Sequence, residues 1–199
     1  MPRTITANYY THLQLTNPGD SPVSIAQGIN ITNGAGVAVF VFAGDWTIAN
    51  AGVIQENAAT NSIGLYLQKG ASGVSRLVLT NQSSGRITGQ FGVRFAGTGT
   101  VDNQGAIAGM GRDGVRIAYG GSVGNEAGAS VAGAALGVLI YGGLGLVTNQ
   151  SAISGASDDG VALIGGGAVA NDAAGASIGG GAVGVYIGGG AGTVTTRAR

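Results

Sequence analysis

Three acidic residues are the nearest thing to a catalytic set in this 199-residue chain: Asp113, Asp158 and Asp159. Asp158 and Asp159 are adjacent, and Asp113 and Asp159 each stand immediately before a glycine. Paired carboxylates do general acid and base work on glycosidic bonds, and their separation sets the stereochemical outcome. Two cations, Arg94 and Arg116, hold the same place in Gly-Val-Arg-Phe and Gly-Val-Arg-Ile and are the candidate contacts for an anionic ligand. His12 is the single histidine and lies far from these residues in sequence, where a triad or metal site would lack company. Cysteine is absent, which excludes disulfides, thiolate metal sites and cysteine nucleophiles. No metal or other cofactor is expected. The tracts Gly165–Gly167 and Gly188–Gly190 lack the Lys-Ser or Lys-Thr of a phosphate loop, and read instead as tight turns with positive φ.

What must position these residues is a repeat. Asn81, Asn103, Asn125, Asn149 and Asn171 each close a Val-x-Asn or Leu-x-Asn phrase, at intervals of 22, 22, 24 and 22 residues. A second short strand signal follows each, such as Ile107-Ala108-Gly109, and then a third of the form Gly-Val-x-Ile. Three strands per turn, separated by glycine-rich corners, predict a parallel β-helix. Because side chains alternate faces along a strand, Val115 and Ile117 point inward with their equivalents on other coils, and Tyr66, Arg94, Arg116, Leu139, Ala162 and Tyr186 point outward. The asparagines then fall at one corner of successive coils, where their amides can hydrogen-bond along the stack as a ladder. Three asparagines, Asn30, Asn81 and Asn149, lie in Asn-x-Ser/Thr sequons, but two of them belong to this ladder.

On this scheme Asp113 and Asp159 are equivalent positions two coils, or roughly 10 Å, apart. That lies at the outer edge of an inverting pair's spacing, and the coil between carries Leu136 at the same place. Asp-Gly is also an ordinary turn into a strand, and that is the reading adopted for both. Arg94 and Arg116 become outward neighbours about 5 Å apart at their bases, a like-charge contact that invites an anion, Asp102 or Asp113 as partner, although a solvated pair that splays apart is the reading adopted.

Composition narrows the function classes. The formal net charge is zero, with nine residues of each sign, which argues against a nucleic-acid surface. No apolar run reaches the ~18 residues of a membrane helix, so no membrane insertion is expected. The start, Met1-Pro2-Arg3-Thr4, shows no signal-peptide pattern. Residues 1–45 lack the repeat phrase and are read as an N-terminal β cap, with residues 46–199 forming six or seven coils of one continuous domain. From Asn50 to Asn81 the spacing widens to 31 residues, placing insertions around 68–76 and 57–62. The last coil runs out at Val194-Thr195-Thr196, then Arg197-Ala198-Arg199, so the chain is expected to be a piece of something longer and to self-associate end to end through that coil.

The phrase Val101-Asp102-Asn103-Gln104-Gly105-Ala106-Ile107-Ala108-Gly109, with Gly-Val-x-Ile later in each coil, resembles the passenger repeats of bacterial autotransporters and related surface adhesins. The opening, Leu13 to Pro18 through Trp46 to Gly52, is similar to the start of such passengers. The resemblance implies an all-β, right-handed parallel β-helix, a non-enzymatic structural or adhesive role at the cell surface or in secreted form, and host-surface or carbohydrate ligands. The alternative is a carbohydrate-active β-helix enzyme, a polysaccharide lyase or glycoside hydrolase, using Asp113, Asp158 and Asp159. The facing assignment makes Ile117→Asp costly by several kcal/mol and the neighbouring Arg116→Ser nearly silent, under ~0.5 kcal/mol.

Overall fold

The computed structural model describes residues 1–57, 60–70 and 75–197. Its strands form three sheets through which the chain passes in rotation, every pairing parallel. The nine-stranded sheet 1 runs from Arg3–Ile5 and Val23–Ile25 through Asp45–Asn50, Arg76–Asn81 and Thr98–Asn103 to Gly192–Thr196. The seven-stranded sheet 2 runs from Asn30–Asn33 through Arg86–Gly89 and Ala106–Gly109 to Ser177–Gly180. The eight-stranded sheet 3 runs from Leu13–Leu15 and Val37–Val41 through Ile63–Leu67, Phe91–Phe95 and Val115–Ile117 to Val185–Ile187. This is the parallel β-helix expected from the repeat, with three strands per coil. Among the described residues the one helical element is a 3-10 turn at Pro18–Asp20.

The repeat phrase counts six or seven coils, whereas sheet 3 counts eight. The difference lies in residues 1–45, which are built into the same three sheets. Leu13 is registered with Val39, Val23 with Ile48 and Ile31 with Ile54. Inward apolar residues at the right spacing suffice for pairing, even where the asparagine phrase is missing. The widened stretch before Asn81 includes residues 58–59 and 71–74, which lie outside the described residues.

The core is a set of columns. Val93, Val115 and Val138 stack on one line and Phe95, Ile117 and Ile140 on the next, all fully buried. Each such side chain contributes roughly 1.5–3 kcal/mol of transfer free energy, and a branched side chain that fits one coil fits the next because the geometry repeats. The glycine before the inward Val is required by the close approach of sheets 2 and 3. A Cβ on Gly114 would lie 2.7 Å from the carbonyl oxygens of both Ala132 and Gly137. The triple-glycine tracts are turns of the expected kind, with Gly166 at φ 83 and Gly189 at φ 75.

Of the six outward positions in sheet 3, Ala162 departs from expectation: it faces away from the core yet is only 2% exposed. Its methyl group is registered between the larger side chains of Leu139 and Tyr186 on the adjacent coils.

Because Ile117 sits at 0% exposure between Phe95 and Ile140, Ile117→Asp should cost several kcal/mol by burying an unpaired carboxylate. Thermal or denaturant unfolding checks this: a loss below about 1 kcal/mol would mean that the column is not closed.

Candidate functional site

The asparagine corner is the most completely bonded polar feature. Asn81 Nδ2 donates to Asn103 Oδ1, Asn103 to Asn125, Asn125 to Asn149 and Asn149 to Asn171, each at 2.8 Å. The ladder has one member beyond the five expected: Asn50, whose Nδ2 donates to Asn81 Oδ1 at 2.9 Å. The 31-residue gap hid it, although the phrase Ile48-Ala49-Asn50 carries the same signal. Backbone carbonyls take further donation, from Asn103 Nδ2 to Gly105 and Ser130 for example. From Asn50 to Asn149 the members are fully buried. The ladder is therefore structural, and its two sequon members, Asn81 and Asn149, have no surface to offer a glycan.

The three acidic candidates do not converge. Asp113 and Asp159 hold equivalent positions with Leu136 between them, as the ladder bonds Gly92 N–H to Asp113 O, Gly114 N–H to Leu136 O and Gly137 N–H to Asp159 O make plain. Asp113, expected on the outer face, is 1% exposed. Arg116 reaches back over it, and Arg116 Nε donates to Asp113 Oδ2 at 2.6 Å. Asp113 Oδ1 has no hydrogen-bond partner among the described residues. Asp158 is exposed and Asp159 half-buried. Partial burial and the neighbouring Asp158 charge push the Asp159 carboxyl above its ordinary value, against a backbone hydrogen bond at Val183.

The two arginine candidates are registered neighbours, Arg94 beside Arg116, as the spacing predicts. Sequence reasoning missed what lies between them. The Phe91 ring, 5% exposed and outside the main core cluster, has the guanidinium carbons of Arg94, Arg112 and Arg116 at 5.4, 5.9 and 5.0 Å from its centroid. Arg94 also lies 5.8 Å from the Tyr66 ring, which meets Phe40 edge-on at 5.3 Å. The available signal was Phe91 itself, a large aromatic where the next coil has Asp113.

Family models, curated proteins and solved structures all fail to match this chain. The site must be judged on its own geometry. Among the described residues no three His, Asp or Glu side chains gather as a metal site. His12 is exposed and contacts Gln14, Nε2 to Nε2, at 2.8 Å. Asp102, the other partner foreseen for the arginines, instead accepts from Gln104 Nε2.

The Arg116–Asp113 pair overturns the expectation that Arg116→Ser is nearly silent. Removing the guanidinium leaves a buried carboxylate without its donor, so the cost should be about 2 kcal/mol or more. Adding Asp113→Leu, the residue found one coil on at Leu136, should recover most of it. Equal melting temperatures for wild type and Arg116→Ser would contradict this. A second expectation concerns pH. A carboxyl whose folded pKa is raised weakens the fold once pH climbs past its unfolded value, because the folded state then holds the proton more tightly than the unfolded one. Asp159→Asn should therefore stabilise at neutral pH, and the gain should vanish as pH falls below the ordinary value of 3.8. Unfolding curves across that range measure it, and a pH-independent difference would contradict it.

Proposed function

We propose that this chain is a non-enzymatic structural or adhesive segment of a bacterial autotransporter-like passenger, carried on the cell surface or secreted. The observation that carries the reading is the uninterrupted stack. Core columns run through the described coils and the asparagine ladder from Asn50 to Asn171, while Asp113 is sealed under Arg116 two coils away from the adjacent Asp158 and Asp159. A scaffold of this kind presents long faces of outward side chains in fixed register. The repeat phrase from Val101 to Gly109 and the Gly-Val-x-Ile strands supply the resemblance on which surface display rests. A polysaccharide lyase or hydrolase would have to work with Asp158 and Asp159 alone, the raised pKa of Asp159 being the observation in its favour.

The same reading includes association through the C-terminal end. The inward column of sheet 1 is sealed at Val169, 1% exposed, but its last member, Val194, is 54% exposed. Val185 and Ile187 are only partly buried, although their equivalents two coils back have no exposure. At the other end Ile5, Leu13 and Leu15 are all buried. An uncovered edge of parallel strands is a template for another chain. Of the two terminal cations, whose charges would oppose such contact only weakly because salt screens them, Arg197 lies 3.9 Å from Asp172, and Arg199 lies outside the described residues.

Antibody labelling and protease shaving of intact source cells test the display, with labelling only after permeabilisation as the contrary result. Incubation with uronic-acid polysaccharides tests the enzyme alternative, and turnover abolished by Asp159→Asn would sink the non-enzymatic reading. Light scattering should show concentration-dependent association of the isolated chain that Val194→Lys weakens; a monomer at all concentrations would contradict the end-to-end contact.

A further inference from the structure

We infer that the Phe91-centred arginine cluster on sheet 3 is a binding site for a glycan bearing carboxylate or sulfate groups, with Tyr66 and Phe40 as the platform for its sugar rings. The first ground is a charge imbalance. Three of the chain's nine Lys and Arg residues crowd one phenyl ring, and the single carboxylate among them is Asp113. Among the described residues that carboxylate takes only the Nε of Arg116, which leaves the two terminal nitrogens of the Arg116 fork for another acceptor. Among the described residues neither Arg94 nor Arg112 has a carboxylate within ion-pair distance. Covering Phe91 accounts for the apolar stems of these side chains. It does not account for gathering three like charges where neutral side chains would cover the ring without mutual repulsion. An anion placed against the three guanidinium forks removes that repulsion and forms charge-assisted hydrogen bonds.

The second ground is the row in which the cluster sits. Register places Phe40, Tyr66, Arg94 and Arg116 at one outward position on four consecutive coils. Two half-buried aromatics are followed by two cations, about 4.8 Å apart per coil along the rod axis. Aromatic faces take the C–H faces of sugar rings, and guanidinium forks take carboxylate or sulfate. A ligand that uses both must extend along the axis, which fits a polymer laid on the surface better than a small anion held in a pocket. Arg112 flanks the row from the preceding turn and is exposed, so the site is open to a long chain.

This assignment rests on the adhesive reading of the scaffold and names the class of ligand. Calorimetry on the whole chain tests it with polygalacturonate, heparin, uncharged dextran and inorganic polyphosphate at low and physiological salt. The variant is Arg94→Gln with Arg112→Gln, keeping Arg116 because Asp113 depends on it. Wild type should bind at least one of the two acidic glycans, more weakly as salt rises, and should bind dextran and polyphosphate poorly. The double variant should lose roughly tenfold or more in affinity at an unchanged melting temperature. Preference for polygalacturonate would assign a carboxylate ligand, and preference for heparin a sulfate ligand. Failure of folded wild type to bind either glycan, equal binding by the variant, or equal binding of polyphosphate would overturn the site. None of these results bears on surface display, which cell labelling decides separately.

Discussion

Everything in this molecule depends on equivalent residues from successive coils meeting one another across a parallel ladder. A parallel pairing about 4.8 Å wide puts like above like, so each position in the coil is judged by how well it packs or bonds with copies of itself. Apolar branched side chains pass that test, and the columns through Val115 and Ile117 are the result. Asparagine passes it too, because its amide donates on one side and accepts on the other. Charged residues fail it, which is why the adjacent arginines at 94 and 116 need something else to explain them.

The ladder also gives the stack a direction. Every amide from Asn50 to Asn149 donates toward the C-terminal neighbour. Asn171 receives but finds Thr196 in register on the next coil, and its own Nδ2 turns to the carbonyl of Ala176. The loss of that polar continuity coincides with the loss of burial at Val194.

Much of this was legible in the sequence because a solenoid writes its register into its spacing. The 22-residue phrase fixed which residues stack, so the inward pairs, the ladder and the equivalence of Asp113 with Asp159 could all be read directly. What was not legible follows from two causes. Coils that lack the phrase, such as those built on Leu13 and Val23, are recognised only by pairing, since an inward Val or Leu is too common to signal by itself. Side chains that fold back over the surface leave no periodic trace at all. Arg116 covering Asp113, and three arginines converging on Phe91, depend on rotamers across two coils, which spacing does not encode.

The register of the whole solenoid is written in the buried ladder, and side-chain amide exchange measured by NMR tests it most directly. The Nδ2 protons of Asn81, Asn103 and Asn125, each fully buried and bonded to the next coil, should exchange far more slowly than those of the exposed Asn17 and Asn61. Protection that is high at Asn103 and falls toward Asn171 is the predicted result. Exchange at Asn103 as fast as at Asn17 would contradict the register on which the whole structure is built.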